Sequence, residues 1–225
     1  PAYAVYDAKS DAWSDWRFIT LPYPDSTFFL IAPGCVQWLV QDDGSLLIPF
    51  YYASKENTSV YMSAVMRCTF DGETISYEKH GTEMELDVAR GLCEPSLTRL
   101  NGRYFLTIRN DVKAYISTSD DGLNYTPIKP WTFDDGEELG SYNTQQHWVT
   151  HSDGLFLVYT RRGADNDHII RNRAPLFIAQ VDPEKLHVIR ATERILIPER
   201  GAALGNFGAA NMSPTETWVT VSEGM

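Results

Sequence analysis

Three Asx-Gly pairs, Asp43-Gly44, Asn101-Gly102 and Asp153-Gly154, each divide two runs rich in β-branched and aromatic residues. Both residues of such a pair accept positive φ, so each pair predicts a tight antiparallel hairpin. The joined runs are 35–40 with 46–50, 94–100 with 103–109, and 146–150 with 155–160. The turns recur roughly every 50 to 60 residues, a spacing found in propeller repeats. A second series, Asp71-Gly72, Asp121-Gly122 and Asp182-Pro183, follows third runs at 60–70, 114–119 and 174–181 and precedes fourth runs at 75–78, 125–128 and 187–191. Four antiparallel strands per unit, repeated along the chain, predict the blades of a β-propeller.

No stretch of a dozen residues carries a 3.6-residue apolar period, whereas alternation is frequent, as in Tyr104-Phe105-Leu106-Thr107-Ile108. The expected fold class is therefore all-β, one propeller domain over residues 1–225. Residues 1–30 read as the end of one blade, three complete blades follow, and another opens at Arg194. That is too few blades to close a ring and protect strand edges in the usual way, so the expectation is an internal fragment of a longer protein or an unusually tight ring. The long connections 79–93, 130–145 and 161–173 fall where propellers carry binding loops.

With 43% hydrophobic residues among 225, the chain buries a sizeable core. A net charge of −11 argues against a nucleic-acid partner, whose phosphates require a cationic surface. No apolar run is long enough for a membrane helix, so no membrane insertion is expected, and the start Pro1-Ala2-Tyr3-Ala4-Val5-Tyr6 lacks signal-peptide features. Cys35, Cys68 and Cys93 form no Cys-x-x-Cys pair and are expected to be small buried residues. His80 and His168 lack metal-ligand spacing, and no glycine-rich phosphate loop is present, so neither a metal nor a cofactor is expected.

The hairpin 94–109 opens on Glu94 and closes on Arg109, which a two-residue turn returns to the same end. Farther on, Thr118-Ser119-Asp120-Asp121-Gly122-Leu123-Asn124-Tyr125 matches the Asp-box pattern, in which an Asp bonds turn amides, Gly takes a left-handed conformation and an aromatic packs beneath. The order of such features resembles the sialidase superfamily over nearly the whole chain. Pro33-Gly34-Cys35-Val36-Gln37 followed by Asp43-Gly44-Ser45-Leu46-Leu47-Ile48-Pro49 is similar to one family segment, and residues 7–16 resemble a worn Asp-box. Glu94 to Arg109 resembles the family hairpin carrying the carboxylate that activates the nucleophile and the second arginine of a carboxylate-binding triad. Arg173-Ala174-Pro175-Leu176-Phe177-Ile178 resembles the strand that begins with the third.

The resemblance implies a six-bladed propeller of which this chain supplies about four blades, an extracellular or periplasmic location, and an acidic sugar or glycan as ligand. Guanidinium forks suit such a ligand because they grip a carboxylate in bidentate fashion. Arg109 and Arg173 are the expected clamp, with Gln37, Arg90, Gln145 and Arg162 as further substrate contacts. Glu94 is the expected acid/base or activating carboxylate of an exo-sialidase-like hydrolase. The family's nucleophile is a tyrosine, yet Phe207 stands near its expected place.

Residues 140–148, Gly-Ser-Tyr-Asn-Thr-Gln-Gln-His-Trp, are dense in hydrogen-bonding groups just ahead of an inner strand. They support an alternative, β-elimination on a uronic acid by a propeller-fold lyase, with His147 or Tyr142 moving the proton. A third possibility is a glycan-binding propeller that kept the arginines without the nucleophile, a reading favoured by Phe207.

Overall fold

The computed structural model describes residues 1–151, 154–213 and 215–224. Three antiparallel sheets of four or five strands follow one another along the chain. The first joins Leu30–Ala32 and Leu39–Val40 to Leu46–Ala53, then Met62–Phe70 and Ile75–His80. The second runs Cys93–Leu100, Arg103–Arg109, Tyr115–Ser119 and Lys129–Pro130. The third runs His147–His151, Gly154–Tyr159, Leu176–Asp182 and His187–Val188, with Arg194–Ile197 also paired to Leu176–Asp182. A long hairpin, Ala203–Ser213 with Glu216–Gly224, comes last. Among the described residues no helix is long and apolar enough to cross a membrane.

Local chemistry accounts for the middle sheet. Asn101 and Gly102 take φ of 50° and 84°, the left-handed pair that a tight hairpin needs. Leu100 then faces Arg103 and alternation sorts the second strand. Tyr104, Leu106 and Ile108 pack toward the first sheet with Leu47, Val65 and Leu97, while Phe105 turns the other way, toward Trp131, Trp148 and Leu157. Both faces are buried, as in a sheet stacked between two others. At the next turn Asp121 Oδ1 accepts from Leu123 N at 2.8 Å and Asn124 N at 2.7 Å, and Tyr125 lies buried. Gly122 there has φ of 78°, and a Cβ would collide with the Leu47 side chain.

Several boundaries differ from the sequence expectation. Of 35–40 only Leu39–Val40 pairs, because Cys35 takes φ of 56° and turns the chain away from the sheet edge. That turn also leaves Cys35 exposed, while Cys68 and Cys93 are buried. Residues 125–128 form no strand: Tyr125 N is held by Thr82 Oγ1 at 3.0 Å and only Thr126 N reaches Thr118 O, at 2.9 Å, before strand pairing resumes at Lys129–Pro130. Arg194–Ile197 joins the third sheet rather than opening a new one. The Asp153 half of the third Asx-Gly pair lies outside the described residues.

One side chain ties the sheets together. Gln37, in the turn at the inner edge of the first sheet, donates from Nε2 to Trp148 O and to Ala209 O, both at 2.9 Å, and accepts from Trp148 N. Its carbonyl receives Leu97 N at 3.0 Å and its own amide donates to Ser96 Oγ. All three sheets and the last hairpin meet there. Gln37→Ala strands several buried backbone groups and is expected to lower the unfolding free energy by about 2 kcal/mol. Urea denaturation should show a reduced midpoint at unchanged slope.

Candidate active site

The site begins at the open end of the 94–109 hairpin. Pairing shifts register between Cys93 and Ser96, and within that bulge Glu94 takes φ of 45°, turning its side chain toward the neighbouring strand end. Arg109 Nη1 donates to Glu94 Oε2 at 2.7 Å, and Nη2 donates to Asp111 Oδ1 at 3.0 Å and Asn143 Oδ1 at 2.9 Å. The Arg109 side chain is only 4% exposed. Burial opposes its charge, but Glu94 and Asp111 outweigh that and hold the guanidinium above its ordinary pKa.

Arg173 arrives from the third sheet, after the 3-10 turn Ile170–Asn172. Its Nη2 donates to the Asn143 carbonyl at 2.7 Å. Asn143, itself at φ of 54°, therefore receives Arg109 on its side-chain oxygen and Arg173 on its backbone oxygen. The Arg173 Nε is buried without a partner, and Nη1 makes no hydrogen bond among the described residues. Burial, then the like charges of Arg109 and Arg171, lower the Arg173 pKa. Arg90 faces Asp111 at 3.7 Å, completing a row of guanidinium groups bridged by Asp111 and Asn143.

The backbone around this row is unusual in one respect. Cys35, Arg90, Glu94, Asn143, Arg171, Asn172 and Asn206 all have positive φ without being glycine. Such residues persist where surrounding structure overrides the local preference, a pattern common at ligand sites. Tyr51 stands beside Glu94, and its phenol is pushed up to about 12 by burial and then by the Glu94 charge. Its ring meets Tyr61 edge-on at 5.3 Å.

The remaining candidates sort into three places. Tyr142 donates to Asn172 Oδ1 at 2.7 Å, the residue just before Arg173, and the Arg162 guanidinium lies 4.1 Å above the Tyr142 ring. His147 and Gln145 lie deeper. The His147 ring is 2% exposed, bonds Ser96 Oγ through Nδ1 at 2.9 Å, and meets Phe207 edge-on at 5.2 Å. Gln145, oriented so that both ends of its amide are satisfied, accepts from Phe207 N at 3.0 Å and donates to Thr144 Oγ1 at 3.0 Å. Phe207 is 3% exposed and sits where the last hairpin shifts register between Gly205 and Gly208. Gln37 lies farther along the inner strands, beside a cavity of about 320 Å³ lined by Trp38, Thr98, Thr150 and Ala210. Among the described residues no group of three or more His, Cys, Asp or Glu is arranged to hold a metal ion.

Neither Asp111 nor Asn143 carries a sequence signal of its own. Asp111 follows Arg109 by two positions, and Asn143 belongs to the polar run 140–148, but only folding gives either a reason to meet an arginine.

No family model matches the chain, and no curated protein sequence matches it. Solved structures do. A sialidase of Trypanosoma rangeli superposes on 100% of this chain with a TM-score of 0.59 at 13% identity. The phi92 phage endosialidase covers 89% with a TM-score of 0.51 at 12% identity, and a GH43_1 enzyme from Xanthomonas citri complexed with xylotriose covers 79% with a TM-score of 0.50 at 12% identity. The chain spans 36%, 32% and 62% of those three proteins, respectively. At such identity the likeness is one of fold, and the fold is that of sialidase-like β-propellers.

Burial lowers the His147 pKa to about 4, with a backbone hydrogen bond at Phe207 acting in the opposite direction. The native state then binds fewer protons than the unfolded chain between about pH 6.5 and 4. Stability present above that window is lost as pH falls through it, to the extent of about 3 kcal/mol. Comparing unfolding free energies at pH 7 and pH 4.5, His147→Gln should show a visibly shallower pH dependence than the parent. An unchanged slope contradicts a buried neutral imidazole.

Proposed function

We propose that this chain supplies the carboxylate-gripping part of an exo-sialidase-like glycoside hydrolase site. Arg109 and Arg173 hold the carboxylate of an acidic sugar, and Glu94 serves as acid/base or activating carboxylate. The observation that carries this reading is the shared residue Asn143, which draws two arginines 64 positions apart onto adjacent oxygens. Guanidinium groups converging in this way fit a planar anion better than any neutral ligand. Among the described residues Arg173 leaves Nε and Nη1 without partners, whereas both Nη atoms of Arg109 are held by Glu94, Asp111 and Asn143 and only its buried Nε has none, so Arg173 offers the more available donors. An extracellular or periplasmic location goes with a glycan substrate of this kind.

Phe207 favours a second reading. It lacks a hydroxyl, is buried on His147, and offers no nucleophile of its own. A propeller that binds acidic glycans without cleaving them fits that feature.

Incubating the full chain with a fluorogenic sialoside separates the two. Release of free sialic acid supports hydrolysis, while acidic-sugar binding without product supports the binding module. A new ultraviolet-absorbing unsaturated uronate from a uronic-acid glycan points instead to a lyase. In each binding assay Arg173→Gln is expected to weaken acidic sugars by about tenfold or more, with neutral sugars unaffected. Equal loss for both contradicts the carboxylate clamp.

A further inference from the structure

The cavity beside Gln37 lies apart from the arginine row. Ser96, His147 and Phe207 belong to the buried layer, and Thr98, Thr150 and Asn211 follow them on the same three strands by two, three and four residues. At about 3.3 Å per residue, that places the cavity lining on the order of 7 to 13 Å beyond the layer. Glu94 precedes Ser96 on its strand, so the row and the cavity stand on opposite sides of it.

Its volume of about 320 Å³ suits one small ligand. None of its lining residues is charged, although the chain carries 19 Lys and Arg and 30 Asp and Glu residues. An ion held there would lose hydration without gaining a counter-charge. The lining is not purely apolar either. Thr98 Oγ1 and Thr150 Oγ1 stand 2.6 Å apart, and Thr98 is 7% exposed. Two hydroxyls carry two hydrogens, their mutual bond uses one, and neither oxygen has another partner among the described residues. A wholly apolar ligand would leave that second hydrogen unpaired. Asn211 Nδ2 donates to Thr150 O at 2.8 Å and has a further hydrogen to give.

Trp38, in the turn leading into the first sheet, supplies apolar surface. It is 51% exposed, and its indole nitrogen makes no hydrogen bond among the described residues. Trp148, by contrast, is 2% exposed with its Nε1 committed to Ser96 O at 2.8 Å, and serves the core. We propose that this cavity binds a neutral sugar ring, with the Trp38 indole against its C–H face and the Thr98–Thr150 pair and Asn211 meeting its hydroxyls. A pyranose is uncharged, has an apolar face and carries hydroxyls around its edge, which matches each property of the lining. The site is separate from the acidic-sugar clamp and does not depend on it.

The test is calorimetric titration of the full chain with methyl glycosides of glucose, galactose and xylose, and with glycerol, which has hydroxyls but no ring face. At least one glycoside is expected to saturate in the millimolar range, with glycerol about tenfold weaker or worse. Trp38→Ala should weaken that glycoside about tenfold and Trp38→Phe no more than about threefold. Thr98→Val should weaken it about fivefold. Ala210→Leu, at an exposed position of the last hairpin, fills the cavity from another strand and should abolish binding; it serves as the test if Trp38→Ala fails to fold. Saturating sialic acid should leave the glycoside affinity unchanged. Absence of glycoside binding, or glycerol binding as tightly, overturns the inference, as does an affinity that survives Ala210→Leu. Competition by sialic acid puts the neutral sugar in the arginine row and overturns a separate site. Loss of acidic-sugar binding with glycoside binding intact counts against the clamp and supports this site.

Discussion

The Arg109 guanidinium sits where water barely reaches it, at 4% side-chain exposure, and the surrounding structure is shaped by keeping that charge paired. A buried cation stripped of its partner costs about 3 to 5 kcal/mol. Glu94, Asp111 and Asn143 come from three different stretches of chain, yet each places an oxygen within 3.0 Å of it. Once Asn143 is committed to Arg109 through its side chain, its carbonyl is free to hold Arg173. The second arginine is thus positioned by the first, through one residue and without direct contact between like charges.

Backbone geometry serves the same end. A carboxylate in the regular Cys93–Leu100 strand would point along the alternation of its neighbours. The register shift after Cys93 and the left-handed conformation of Glu94 turn it toward Arg109 instead. Asn143 and Asn206 are residue types that tolerate such a conformation well, whereas Glu94, Arg90, Arg171 and Cys35 are not. Their strain is held by what they touch: Tyr61 N bonds to the Arg90 carbonyl at 3.0 Å, and Leu92 N returns to Tyr61 O at 2.8 Å.

Beneath the charged row the character changes. Phe207, His147 and Gln145 form a buried layer whose hydrogen bonds are satisfied internally, and the imidazole stays neutral because burial disfavours its protonated form. Positive charge is therefore carried by Arg90, Arg109 and Arg173 and by none of the three residues of that layer. In a chain of net charge −11 such a cluster is a local reversal of sign, felt only within about a Debye length because salt screens charges farther away.

How much of this was legible beforehand depends on how far apart the interacting residues lie. Asn101-Gly102 encodes its own hairpin, and alternation across 103–109 sets which side chains face each neighbouring sheet, so the proximity of Glu94 and Arg109 follows from sequence alone. The Asp121 turn is local in the same sense. The meeting of Arg109 with Asn143 and Arg173, the tie that Gln37 makes to Trp148 and Ala209, and the diversion of residues 125–128 by Thr82 belong to the tertiary structure. Turn chemistry and strand period act over a few residues, where backbone dihedral preferences decide. Contacts across 30 to 172 positions arise only when stacked sheets bring their inner strands together, and no local preference specifies which polar atoms then find one another.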